Sequence, residues 1–239
     1  MKNKKLEIIF LCCAFEATII AFVAIANLFD NSIYYIFYNL FYGIGISVLP
    51  PLLILQKEKS NLETVGIKKL GKRQILVLAL FVAFSVGGQI IPKMIAGEKL
   101  RWNVLPVAIL PLVMTTFFEE FLFRGFLQTR LEKQFGAVIA IIVSGLLFAL
   151  YHLGYPGFRE AGDIVLLFAV GIGFAVSFKL AENNLIVSYF VNLPNAFVTY
   201  ILRFEQFPRM TIWSTMFAGI TIIFIVAILF AIKNERQLA

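Results

Sequence analysis

Residues 117–126 read FFEEFLFRGF, a run of Phe and Leu that contains two glutamates and an arginine. An ionisable group at the centre of a bilayer costs about 2.5–3.5 kcal/mol on insertion scales. Such groups normally face the interior of a helix bundle, and they often mark a functional site. The stretch therefore predicts a transmembrane helix whose charged face is turned towards other helices.

The rest of the chain has the composition that such a helix needs around it. Of its 239 residues, 60% are hydrophobic and 15% are charged, whereas soluble domains carry about 45–50% apolar and about 25% charged residues. Apolar stretches of about 20 residues recur along the chain, and each is long enough to cross a bilayer as a helix. The predicted fold is all-α, a polytopic membrane protein with a bundle of about eight transmembrane helices.

The predicted spans are connected mostly by short loops, and they cover residues 6–28, 33–56, 74–92, 104–131, 136–154, 163–179, 184–203 and 211–232. The chain begins MKNKK, like the n-region of a signal peptide, but the apolar run that follows is too long for one and lacks a cleavage pattern. We therefore expect a retained first span. The domain prediction is a three-span region with a basic loop (1–103), a core that contains the charged stretch (104–203), and a last span with its tail (204–239).

The basic residues of the loops predict how the chain is oriented, because cytoplasmic loops carry the excess of Lys and Arg. The net charge of +7 is thus attributed to topology, and no nucleic-acid partner is predicted. One set of loops carries most basic residues: Lys2, Lys4, Lys5, Lys57, Lys59, Lys68, Lys69, Lys72, Arg73, Arg130, Lys133, Lys179, Lys233 and Arg236. The other set carries fewer: Lys93, Lys99, Arg101, Arg159, Arg203 and Arg209. This bias predicts a multi-pass protein of the cell membrane with both termini in the cytoplasm.

The three charges of the opening stretch divide into a pair and a single acid. Glu120 and Arg124 are four residues apart, so they share a helix face and can neutralise each other. Glu119 is rotated by about 100° from Glu120, so Arg124 cannot pair equally well with both. The remaining carboxylate is a candidate general base. The structural alternative is a Glu–Arg pair that fastens two helices together, or charges that reach a nearby membrane surface.

His152 is the single histidine of the chain, and it lies at a depth similar to that of Glu119. The two residues are about equally far from a tight turn at residues 133–136, so an antiparallel helix pair can bring them together. A purely structural histidine remains the alternative. With one histidine, a zinc site of the HExxH kind is excluded, and neither a metal nor another cofactor is predicted.

Two asparagines form a third polar group, in NLIVSYFVNLPNAF of the seventh span. Asn192 and Asn195 are three residues apart, on one helix face, with Pro194 between them to disturb the helix. Their amide groups could donate hydrogen bonds to a developing oxyanion. Alternatively, they form interhelical hydrogen bonds beside a proline kink.

Three further polar or reactive residues fall within the first span. Cys12 and Cys13 are adjacent, and neighbours in a helix are expected to be free thiols. Glu16 is a third intramembrane acid, and the sequence does not assign it a role.

These segments together resemble the CPBP family of intramembrane glutamic endopeptidases. That family includes CAAX prenyl endopeptidases and the bacterial Abi proteins linked to bacteriocin processing or self-immunity. The first signature appears as Glu119-Glu120-x-x-x-Arg124, and the second as Phe148-x-x-x-His152. The resemblance covers residues 104–200, and the first three spans match nothing in particular.

The third family element, His-x-x-x-Asn after an apolar lead-in, is altered in this chain. The lead-in is residues 185–187, Asn192 stands where the histidine is expected, and Ala196 stands where the asparagine is expected. Asn195, one position earlier, is the nearest amide. An Asn amide can donate hydrogen bonds as a histidine does, so activity stays possible with this departure.

The resemblance implies a role for each matching residue. Glu119, Glu120 and His152 would be catalytic, with Glu119 and His152 activating a water that attacks a peptide carbonyl in the membrane. Arg124 would support the geometry, and Asn192, with Asn195, would form the oxyanion or substrate site. The expected substrate is a CAAX-type prenylated protein or a bacteriocin-leader-type peptide.

One alternative function is a non-proteolytic relative that serves as a bacteriocin self-immunity factor or as a scaffold for a membrane protein partner. A transporter is less favoured, because nothing in the sequence indicates inverted repeats. In each case the lipid bilayer is the surrounding medium.

Overall fold

The computed structural model describes residues 2–29, 31–155, 160–202 and 211–235. Within these ranges the chain is almost entirely helical and contains no strand. The all-α prediction is therefore confirmed. The two cysteines are free thiols, Cys12 buried and Cys13 exposed, as their adjacency predicts.

Eight helices in the described ranges are long and apolar enough to cross a membrane, in agreement with the predicted number. We call them spans 1–8: Lys4–Ala26, Ile33–Lys57, Lys72–Ile95, Trp102–Phe135, Ala137–Gly154, Ala161–Leu180, Leu185–Leu202 and Ile212–Phe230. The protein is thus a multi-pass membrane protein. Pro194 was expected to disturb the helix of span 7. The helix continues through Pro194 without a break.

Span 4 is the central helix of the bundle, and it contacts spans 1, 2, 5, 6, 7 and 8. Its 34 residues would extend about 50 Å as a regular α-helix, well beyond the hydrocarbon thickness of about 30 Å. The middle of the span, Glu120–Gln128, is a π-helix whose nine residues are all buried. Widened helical turns of this kind occur frequently at functional sites, and here the wide turn begins at the second glutamate.

Span 3 lies at the edge of the bundle. Along Lys72–Ile95 no residue is fully buried, and the helix packs against spans 6 and 7. Its outer face is therefore available to lipid, while its inner face reaches the polar residues of span 7.

The long loop between spans 2 and 3 packs onto one end of the bundle. Its short 3₁₀ turn, Leu62–Val65, precedes Gly66, which has a φ of +85°. The carbonyl of Gly66 accepts a hydrogen bond of 2.8 Å from the backbone N–H of Leu185, and Asn184 donates one of 3.0 Å to the carbonyl of Lys69. The loop therefore closes this end of the bundle.

Gly125 makes the close approach between this loop and span 4 possible. A Cβ atom at this position would lie 2.7 Å from the backbone oxygen of Val65, a separation that requires the backbone to move. By contrast, a Cβ on Gly219 in span 8 would have its nearest neighbour at an ordinary 3.6 Å.

We predict that Gly125→Ala lowers the unfolding free energy by about 1–3 kcal/mol, because overpacking forces the loop away from span 4. Gly219→Ala is the matched control, and it should raise stability by up to about 1 kcal/mol, since Ala favours a helix over Gly. Unfolding of the purified protein in detergent by SDS titration measures both. Equal effects of the two substitutions would contradict the close packing at Gly125.

Candidate functional site

The two adjacent glutamates of span 4 have different surroundings. Glu119 ends the regular α-helical part of the span, and its side chain lines a cavity between the helices. Glu120 begins the π-helix and has no exposed surface. The turn of the helix between consecutive residues directs one acid to the cavity and the other to the protein interior.

Glu120 and Arg124 form the ion pair that their spacing predicts. Oε2 of Glu120 lies 3.7 Å from Nε of Arg124, and both side chains are fully buried. The separation is that of an ion pair rather than of a hydrogen bond. The pair lies behind the cavity, so neither member is placed to touch a molecule bound there.

Arg124 is held mainly by span 5. Its Nη1 donates hydrogen bonds of 3.0 Å to the carbonyl of Ser144 and 2.7 Å to the Ser144 hydroxyl. That hydroxyl in turn donates to the carbonyl of Phe123. The guanidinium also lies 5.1 Å from the ring centre of Phe148, a favourable cation–π distance. The arginine therefore fastens spans 4 and 5 together.

Asn192 of span 7 connects the two carboxylates. Its Nδ2 lies 2.9 Å from Oε2 of Glu119 and 2.9 Å from Oε1 of Glu120. A side-chain amide nitrogen carries two hydrogens, so one can be donated to each acid. In this arrangement both hydrogens of Asn192 are engaged by carboxylates rather than directed at a ligand.

Tyr151 is a site residue that the sequence analysis did not identify. Its hydroxyl donates a hydrogen bond to Oε1 of Glu119, and its ring is fully buried. Glu119 thus receives one donor on each oxygen, from Tyr151 and from Asn192. The signal available in the sequence was a tyrosine directly before the single intramembrane histidine.

His152 lies in a short 3₁₀ turn, Tyr151–Gly154, at the end of span 5. Its Nδ1 is 2.8 Å from the carbonyl oxygen of Phe148. A carbonyl oxygen only accepts, so Nδ1 carries a proton; when the ring is neutral, Nε2 is its basic nitrogen. His152 and Glu119 line the same cavity.

Asn195 is held by span 3. Its Oδ1 accepts hydrogen bonds of 3.0 Å from the hydroxyl of Ser85 and 2.6 Å from Nε2 of Gln89. Nε2 of Gln89 also donates to the carbonyl of Ser85, at 2.9 Å, and this fixes the orientation of the Gln89 amide. Because Gln89 presents its nitrogen, Asn195 must present its oxygen, and its own nitrogen is on the opposite edge.

The cavity has a volume of about 740 Å³, within the usual size range of ligand sites. Its wall is mostly apolar, with aromatic side chains from spans 2, 3, 5, 6 and 7. The polar groups on it include Glu119, His152, Asn192 and Asn195. The structure therefore brings four of the predicted site residues to one cavity, and it places Glu120 and Arg124 behind the wall.

Two other features of the site region concern metal binding and Glu16. Among the described residues, no group of three or more His, Cys, Asp and Glu side chains is placed to hold a metal ion. Glu16 is buried in span 1, and neither carboxylate oxygen has a hydrogen-bond partner within the described part of the chain. It does not line the cavity.

We predict that Arg124→Ala lowers the unfolding free energy by about 3–5 kcal/mol, because Glu120 is left buried without its counter-ion. Lys93→Ala is the control. Lys93 pairs with Glu98 at 2.7 Å, but about half of each side chain is exposed, and such pairs contribute at most about 1 kcal/mol. SDS titration compares the two variants, and an Arg124→Ala protein as stable as Lys93→Ala would show that the buried pair is dispensable.

The chain was compared with protein families, curated proteins and solved structures. A family model described as type II CAAX prenyl endopeptidase Rce1-like matches residues 101–232. No curated protein and no solved structure matched. The matched region covers more than half of the chain and contains spans 4–8, among them the helices that carry Glu119, His152 and Asn192. This chain therefore belongs to the Rce1-like type II CAAX prenyl endopeptidase family, a family of peptidases.

Proposed function

We propose that the protein is an intramembrane endopeptidase that hydrolyses a peptide bond with a water activated by Glu119 and His152. One observation carries the proposal: a buried carboxylate and an imidazole whose Nδ1 is hydrogen-bonded to a backbone carbonyl face one cavity large enough for several residues of a peptide. Family membership supports the reaction class. The assignment of individual residues rests on the geometry of the site.

Glu119 acts as the general base in this proposal. Its carboxylate accepts a proton from the water as the water oxygen forms a bond to the peptide carbonyl carbon. The carbonyl oxygen becomes an oxyanion. The proton then passes to the peptide nitrogen, the C–N bond breaks, and an amine and a carboxylic acid leave. Nε2 of His152 accepts a hydrogen bond from the water and orients it for attack.

Four residues keep Glu119 in position. Tyr151 and Asn192 each donate a hydrogen bond to one of its oxygens, and these bonds fix the carboxylate plane. Asn192 also holds Glu120, which Arg124 balances electrically. Glu120 thus supports catalysis from behind the wall, without contact with the peptide.

Asn195 is the donor to the oxyanion in this proposal. Its oxygen is engaged by Ser85 and Gln89, so the opposite edge of the amide, with its N–H groups, is the one left for a ligand. A donor that is oriented before the reaction stabilises the developing charge without reorganisation. Asn192 would contribute as a second donor only by releasing a carboxylate.

The apolar wall indicates a substrate with an apolar segment next to the scissile bond. A prenylated C-terminal peptide has this property, and so does an apolar leader peptide. We propose a substrate of one of these two kinds. The protein would lie in the cell membrane with both termini in the cytoplasm, because the basic loops lie on the same side as the termini.

We predict that Glu119→Gln lowers kcat by about 10²–10⁴ with little change in KM, because the amide cannot accept the proton of the water. The measurement is cleavage of an apolar peptide by purified protein in detergent. Glu98→Gln, an exposed substitution in the loop after span 3, is the control and should leave kcat unchanged. A wild-type protein that binds the peptide saturably but never cleaves it would favour the scaffold function.

Gln89→Glu should lower kcat by about 10²–10³, the usual effect of losing one oxyanion donor. An ionised Glu at position 89 only accepts hydrogen bonds, so the Asn195 amide would rotate and direct its oxygen into the cavity. Gln89→Met, which removes the donor without forcing this rotation, should have a smaller effect. Both are read from kcat and KM of peptide cleavage, and equal kcat in wild type and Gln89→Glu would exclude Asn195 as the donor.

A further inference from the structure

Among the described residues of the cavity wall, two carry a carboxylate and none is Lys or Arg. The proposed mechanism uses one of these acids, Glu119. The other is Asp163, near the start of span 6. It is half-buried, and it belongs to none of the ion pairs within the described part of the chain. A cleft whose wall carries charge of one sign attracts ligands of the opposite sign, so this cavity favours a cationic group over an anionic one.

Asp163 lies at the same end of the bundle as His152, a short distance further from the centre. A Cβ atom on Gly171 would lie 3.0 Å from the ring of Phe148, so these two positions are level with each other in spans 6 and 5. Towards the end at which the two spans are joined, His152 is four residues beyond Phe148. In the same direction, Asp163 is eight residues beyond Gly171. At about 1.5 Å per residue, Asp163 lies about 6 Å further along the bundle than His152.

Tyrosine rings line this same end of the cavity. Because consecutive spans run in opposite directions, the starts of spans 2 and 6 and the ends of spans 5 and 7 lie together. The tyrosines of the wall at these positions are Tyr34, Tyr35, Tyr155 and Tyr200. The faces of aromatic rings attract cations, and rings also cover the methylene stem of a Lys or Arg side chain. A carboxylate and several tyrosines at one end of a cavity therefore suit an ammonium or guanidinium group.

We propose that Asp163 is a specificity-determining residue that binds a Lys or Arg side chain of the substrate. An extended peptide covers the distance from the level of His152 to that of Asp163 with about two residues, so the basic residue lies about that far from the scissile bond. This inference rests on the proposed function, because it takes the ligand to be a peptide. A basic residue at this distance is compatible with either kind of substrate named above, and it narrows both.

The charge of Asp163 also stabilises the helix that carries it. Asp163 lies in the first turn of span 6, where the helix dipole favours an acid. Glu160 is the N-cap residue of the same helix, but it is exposed and does not line the cavity. Glu160→Lys therefore changes the charge at this helix end without changing the cavity wall, and it is the matched control for Asp163→Lys.

Peptide binding to the purified protein in a non-ionic detergent tests the proposal without reference to cleavage. Short fluorescent peptides of Leu and Ala, acetylated at the N-terminus, carry a single Lys, Gln or Glu at each position in turn. The Glu119→Gln protein is used, because it should leave the peptide intact and it removes the other acid of the described wall. At the best position, the Lys peptide should bind at least about tenfold tighter than the Glu peptide, as a hydrogen bond between charged groups predicts.

Three substitutions in the Glu119→Gln protein then assign this preference. Asp163→Asn should bind the Lys and Glu peptides with about equal affinity, and Asp163→Lys should prefer the Glu peptide. Glu160→Lys should keep the preference for the Lys peptide. If Asp163→Lys does not fold, the comparison of Asp163→Asn with Glu160→Lys gives the result. A preference for Lys that survives Asp163→Asn, or that Glu160→Lys abolishes equally, would overturn the proposal.

Cleavage by the wild-type protein separates this inference from the proposed function. The Lys peptide should have a KM at least about tenfold lower than the Glu peptide at a nearly equal kcat, because Asp163 binds the substrate away from the reacting atoms. Cleavage that does not depend on the charge of the peptide would overturn the role of Asp163 and leave the proposed function intact. Charge-dependent binding without cleavage of any peptide would contradict the proposed function and leave the cation site established.

Discussion

The structure depends on accommodating three ionisable groups inside a membrane helix. Each would be strongly unfavourable in lipid, and here the neighbouring helices provide partners for all three. Span 5 supplies Ser144 to Arg124 and Tyr151 to Glu119, and span 7 supplies Asn192 to both acids. Spans 5 and 7 must therefore lie against span 4, and these contacts define the centre of the bundle.

The same requirement explains why two consecutive acids are present. Residues one apart on a helix point about 100° away from each other, so Glu119 and Glu120 cannot occupy the same environment. Glu120 offsets the charge of Arg124 in the protein interior, and this leaves Glu119 facing the cavity. A single glutamate could not both balance the arginine and remain available to a ligand.

Much of this arrangement could be predicted from sequence because it follows from hydropathy and helix periodicity. Runs of apolar residues define the eight spans, and equal distances from one turn place Glu119 and His152 at one depth. The π-helical widening at Glu120 could not be predicted, since it depends on how span 4 packs against six neighbours. The contacts of Tyr151, Ser144 and Gln89 were also missed. They are made between spans whose rotation about their axes an apolar sequence does not specify.

Asn192 is the clearest departure from the pattern that the chain resembles, and the geometry shows what an amide can do at this position. A neutral imidazole carries one N–H, so it could donate to only one of the two acids, whereas one amide nitrogen donates to both. The substitution therefore suits a site in which two carboxylates approach the same nitrogen at 2.9 Å. A donor engaged in this way is not available to an oxyanion at the same time. In the proposed mechanism, the donor task falls to Asn195, which lies one turn further along span 7. Because Asn195 is oriented by Ser85 and Gln89 of span 3, the proposed mechanism includes a helix outside the matched family region in the catalytic geometry.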